Sequence, residues 1–144
     1  MRSRAHLLLE LYQIGAGVSD TTTGLMLLAA PIWTLHLMHI NAIPSQPGTI
    51  SFIGAFVLGV GLSYLWVELR NWRGLRTADE WEAQWRCTTL IRACVAIFLF
   101  VQIATTRMEP AWALVAISDG VLALIQWIGL QQRWLRSGRT SHVA

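Results

Sequence analysis

The chain has 144 residues, of which 54% are hydrophobic and 13% charged, with a formal charge of +3. Soluble domains carry roughly a quarter charged residues. A deficit spread over the whole length argues against an ordinary soluble fold and for one membrane domain. All eleven basic residues are arginine; they flank apolar segments instead of forming a stripe interleaved with aromatics, which argues against a nucleic-acid partner.

Four segments approach or exceed the roughly 20 apolar residues that cross a bilayer core, at about 11–40, 50–69, 88–106 and 111–131. The expected fold is all-α: residues 1–144 form a single membrane domain, a four-helix antiparallel bundle with N-in/C-in topology. The first segment is too long for a cleaved signal peptide, so it is expected to stay as a span. Steps of three and four from Asp20 collect Gln13, Ala16, Gly17, Thr23, Gly24 and Leu27, a small and polar stripe. Leu11, Ile14, Val18, Leu25, Leu28 and Ile32 lie opposite and suit acyl chains. Asp20 should therefore face other helices. Pro31 should kink this span in its outer third, with Thr21, Thr22 and Thr23 bonding freed carbonyls. His36 and His39 follow one turn apart near the outer end. They are expected to be interfacial, with metal or haem ligation as the alternative role for that pair.

The loop "NAIPSQPG" at 41–48 stops the helix with two prolines and a glycine. In the second span Ser51, Ala55, Gly59 and Ser63 recur every four residues, beside Gly54, Val57, Gly61, Tyr64 and Glu68. This small-xxx-small pattern signals helix contact. Gly17 and Gly24 of the first span, with Gly54, Ala55, Gly59 and Gly61 of the second, are the expected packing residues. "RNWRGLRTADEWEAQWR" at 70–86 is charged and tryptophan-rich. Thr77 and Glu80 have capping-box spacing, and a short amphipathic interfacial helix is expected here, its tryptophans acting as anchors.

In the third span Thr88, Arg92, Val95, Leu99, Gln102 and Thr106 share a face. Cys87 and Cys94, seven residues apart, cannot close a disulfide within a helix and should be reduced. The "TRMEP" link forces the third and fourth spans into an antiparallel pair. The fourth span aligns Asp119 and Gln126.

Nine arginines fall on one side of the spans and only Arg107 on the other, so the positive-inside rule places both termini in the cytoplasm of a multi-pass cell (inner) membrane protein. Counting depth at about 1.5 Å per residue separates an inner polar layer from an outer one. The inner layer holds Asp20, Glu68, Arg92 and Gln126, with Thr23 and Tyr64 as supporting partners. The outer layer holds Asp119 and Gln102. Arg92 is the expected counter-charge of Asp20. Glu68, nearer the edge, could pair with Arg70 or Arg73, and Asp119 has no arginine at its depth. An isolated charge at mid-bilayer costs several kcal/mol, so these residues should find one another.

No nucleophile triad, phosphate loop or dinucleotide fingerprint is present. The leading expectation is a non-catalytic accessory or packing subunit of a larger membrane assembly or homo-oligomer, holding a lipid or quinone between helices, with membrane lipids as partners. The length, four spans and first-helix carboxylate are similar to those of the small multidrug resistance exporters. That resemblance implies proton exchange against cationic compounds at Asp20. This chain is longer, has aspartate where those exporters have glutamate, and is strongly biased in charge. Alternatives are thus a small proton-coupled transporter using Asp20 and Asp119, or a haem- or metal-binding redox subunit using His36 and His39.

Overall fold

The computed structural model describes residues 4–41 and 47–135, and within them the chain is all helical. Arg2, Arg136, Arg139 and most of the proline loop expected over 41–48 lie outside the described residues. The helices are α1 (Arg4–Ala29), α2 (Pro31–Leu37), α3 (Pro47–Trp72), α4 (Ala78–Ala104) and α5 (Ala113–Gln131), with a 3₁₀ turn at Pro110–Trp112 leading into α5. Three helical stretches are long and apolar enough to cross a membrane: Gly48–Trp72, Ala78–Ala104 and Pro110–Gln131. α1 is as long as α3, but Gln13, Asp20 and the three threonines after it make it the more polar helix.

The first apolar segment is not one bent helix. Ala30 leaves the helical region (φ −143°, ψ 63°) and Pro31 opens α2. Proline has no N–H for the ladder and disfavours the helical conformation in the residue before it. The hydroxyl that steadies this break comes from Thr34, which donates to the Ala30 carbonyl at 2.8 Å, and not from the Thr21–Thr23 run.

The expected separate interfacial helix is instead the first part of α4. Thr77 caps it, accepting from the Glu80 N–H while the Glu80 carboxylate accepts from the Thr77 N–H. From there nothing stops the helix, because residues 78–104 contain neither proline nor glycine. Trp81 and Trp85 are not anchors either: both are fully buried, at 1% and 0% exposure.

The four long helices pair as two antiparallel hairpins. In the first, glycines bring α1 and α3 into backbone contact. A Cβ on Gly24 would lie 2.4 Å from the Leu58 nitrogen, and one on Gly61 would lie 2.4 Å from the Thr21 nitrogen. Gly17 and Gly54 belong to the same seam, against Tyr64 and Leu65 and against Leu27 and Leu28. In the second, α4 lies along α5, with Gly129 receiving the Trp85 ring and Gly120 near Ala96. α3 and α4 touch only sparingly.

The burial pattern is inverted relative to a soluble protein. Phe52, Leu90, Ile97 and Leu114 are exposed, whereas Gln13, Tyr64, Glu68 and Gln126 are among the most buried side chains. Apolar plugs close the two ends. Leu9, Val67, Trp81, Trp85 and Leu135 form one, and Leu27, Leu35, Ile40 and Ile50 the other. The Tyr64, Arg92 and Gln126 side chains lie between them.

Four helix ends share one device. His39, Gly74, Thr106 and Arg133 adopt left-handed backbone (φ 54° to 71°) just past helix ends. The next residue's N–H then reaches back, as from Ile40 to the Leu35 carbonyl and from Arg107 to the Gln102 carbonyl, both at 2.9 Å. This bond satisfies a carbonyl that the helix end would leave open.

Candidate functional site

At the centre Arg92 (4% exposed) reaches from α4 to the other long helices. Its Nη2 donates to Asp20 of α1 and its Nη1 to Asp119 of α5. Its Nε donates to the Tyr64 hydroxyl of α3 at 3.3 Å. One guanidinium therefore ties all four long helices together, with a carboxylate on each side. The site carries two formal negative charges against one positive.

Gln126 of α5 supports this triad. Its Nε2 donates to the Tyr64 hydroxyl at 2.6 Å and to Thr88 Oγ1 at 3.0 Å, and its Oε1 accepts from Thr89 at 3.3 Å. Tyr12 adds a bond from its hydroxyl to the Leu122 carbonyl at 3.3 Å. The cluster thus consists of side chains whose polar atoms answer one another, which is how buried polar groups are tolerated.

Several residues fall elsewhere than the depth count placed them. Asp119 joins Arg92, not Gln102. Counting Cα positions omits the reach of a three-methylene side chain, and the 3₁₀ turn before α5 rises about 2.0 Å per residue, more than the 1.5 Å assumed. Gln102 is half-buried, ten residues further along α4. Thr23 is half-buried and joins none of the cluster's side-chain bonds among the described residues.

Glu68 belongs to a second cluster instead of pairing with Arg70 or Arg73. Its carboxylate accepts from Asn71 at 2.7 Å and from Arg76 at 3.2 Å. Glu10 shares both partners, at 3.1 Å from Asn71 Nδ2 and 3.9 Å from Arg76. The Arg76 guanidinium also lies 3.6 Å over the Trp81 ring. Arg70 pairs with Glu80 at 2.9 Å.

Between the clusters sits Gln13. Its Oε1 accepts from the indole N–H groups of Trp81 at 3.1 Å and Trp85 at 2.9 Å. Its Nε2 donates to the Tyr64 carbonyl at 3.3 Å and to Gln84 Oε1 at 3.1 Å.

Glu10, Gln84, Asn71, Arg76, Trp81 and Trp85 are the functional-looking residues that sequence reasoning missed. One signal existed: continuing the α1 stripe by one step of three, from Gln13 back to Glu10, would have found the second carboxylate. Of the expected packing residues, Gly17, Gly24, Gly54 and Gly61 form the α1–α3 seam. Ala55 and Gly59 do not; they line an open groove between α3 and α4. His36 and His39 are both exposed, and His39 lies beyond α2 in left-handed backbone, so they do not share a helix face. Among the described residues no group of three or more His, Cys, Asp or Glu side chains could hold a metal ion. Cys87 and Cys94 are free and exposed.

Comparison with protein-family models, curated proteins and solved structures finds no match to this chain.

Proposed function

We propose that the chain is a four-helix bundle of the cell membrane with both termini cytoplasmic, acting as a non-catalytic accessory or packing subunit. α1 is the fourth span, its polar stripe turned inward and its leucines outward. The arginine bias sets the orientation. The observation that carries the functional reading is the saturation of the centre: all three sides of the Arg92 guanidinium are engaged by Asp20, Asp119 and Tyr64. A clasp so occupied fixes helix register and leaves the outer surface as the place where the protein meets others. Extraction in mild detergent tests this, with co-purifying membrane subunits, a homo-oligomer or retained lipid expected. A bare monomer with neither would defeat it.

A second reading, proton-coupled transport, draws support from one feature: two carboxylates share a single cation, leaving one surplus negative charge. Under it, Asp20→Asn or Asp119→Asn abolishes proton-driven uptake in proteoliposomes. Transport that continues in both variants would remove these carboxylates from the mechanism.

A further inference from the structure

We propose that the centre holds one exchangeable proton at neutral pH, carried as a carboxylic acid on Asp20 or Asp119. The inference rests on the four-span reading above, which places the centre in hydrocarbon. It names the place where the second reading would bind its proton.

The Arg92 guanidinium is saturated, but the carboxylates are not. Among the described residues Arg92 is the sole donor to either of them, from Nη2 to Asp20 Oδ2 and from Nη1 to Asp119 Oδ1. The other oxygen of each carboxylate accepts no hydrogen bond from the described residues. The Glu10–Glu68 cluster meets a similar imbalance in another way. There too one guanidinium faces two carboxylates, but Asn71 Nδ2 donates to both, at 3.1 Å and 2.7 Å. At the centre the nearby amide, Gln126, spends its N–H groups on Tyr64 and Thr88.

Few titratable or charged groups face the aspartates. α1 adds Tyr12, α3 adds Tyr64, α4 adds Arg92, and α5 adds nothing beyond Asp119 itself. The other buried guanidinium, that of Arg76, is already engaged by Glu10 and Glu68. One negative charge therefore stays in excess. Arg92 lies near the middle of α4, twelve residues or about 18 Å from the nearer end. A surplus charge at that depth is costly.

Of the cations that could cancel the excess, the geometry admits a proton. A metal ion needs several ligating groups, and no set of three or more exists among the described residues. An organic cation needs a cavity between the carboxylates, and the buried Arg92 side chain occupies that space. A proton needs only an oxygen without a donor and a way to reach it. Each aspartate offers such an oxygen, and with 16% of each side chain exposed neither is sealed off.

The test is infrared spectroscopy of the full chain reconstituted in lipid at neutral pH, reading the carbonyl-stretch band of a protonated carboxylic acid. Wild type is expected to show one such acid per chain. Carbon-13 in the aspartate carboxyl groups should shift the band, assigning it to aspartate without any substitution. Asp20→Asn and Asp119→Asn should each abolish the band, because the remaining aspartate then balances Arg92 one to one. Circular dichroism reports the fold of each variant. A wild type without the band would overturn the proposal, as would a band that carbon-13 leaves in place or that survives in either variant. Loss of the band on adding sodium chloride at the same pH would also overturn it, giving the place to a metal cation. Uptake that continues in variants lacking the band would end the transport reading alone. Release of the chain from membranes by alkaline carbonate would defeat the membrane reading itself, which separates that failure from failure of the proton site.

Discussion

Replacing Arg92 with methionine tests the central clasp. The substitution keeps an apolar stem of similar length and removes three donors, to Asp20, Asp119 and Tyr64. Hydrogen bonds inside membrane proteins average about 0.6 kcal/mol each, so the three lost bonds alone would cost about 2 kcal/mol. Stranding a buried charge by deleting its partner costs about 3–5 kcal/mol, and here two carboxylates, each only 16% exposed, lose the same cation. Unfolding by sodium dodecyl sulfate in mixed micelles, followed by far-ultraviolet circular dichroism, distinguishes the two. A loss above about 3 kcal/mol means that stranded charge outweighs the lost hydrogen bonds. Adding Asp20→Asn and Asp119→Asn to Arg92→Met should then recover at least half of it. A single variant within about 1 kcal/mol of wild type, or a triple variant no more stable than the single, would refute the reasoning.

The same titration checks three further outcomes. Gly24→Ala places a Cβ against the Leu58 backbone and should cost about 1–3 kcal/mol, whereas Gly59→Ala, with open space beside it, should gain about 0.5–1 kcal/mol; equal effects would dismiss the α1–α3 seam. Thr106 is a β-branched residue at φ 56°, so Thr106→Gly should stabilise by about 0.5–1 kcal/mol, the left-handed penalty less glycine's added entropy, and a loss would contradict the strain. Gln13→Leu leaves the Trp81 and Trp85 N–H groups without their shared acceptor and should cost about 2 kcal/mol or more; a variant as stable as wild type would show that water or another group takes Gln13's place.

The legible parts of the sequence were those governed by period. Steps of three and four sorted α1 correctly into an inward side with Gln13, Ala16, Gly17 and Gly24 buried and an outward side with Leu11, Val18 and Leu25 exposed. The capping box at Thr77 was equally readable, being a local device. Partner choice across helices was not. Asp119 looked isolated because depth was counted along backbones, while the meeting point is set by the length of the Arg92 side chain. Trp81 and Trp85 looked like anchors because tryptophan near charge usually is one; that their N–H groups converge on Gln13, 68 and 72 residues away in sequence, has no local signature. Ala55 and Gly59 carried the same small-residue pattern as Gly54 and Gly61, and only the azimuth of α1 around α3 separates seam from groove.

The polarity of α1 has a consequence for how the protein is made. This helix leaves the ribosome before α4, yet its Gln13 needs Trp81 and Trp85, and its Asp20 needs Arg92, all of which are synthesised at least sixty residues later. Until α4 arrives, hydrocarbon offers α1 nothing to bond with. On the proposed four-span reading its residence in the bilayer is therefore granted by its successors, and a nascent chain truncated before Arg92 would leave α1 at the water boundary, waiting.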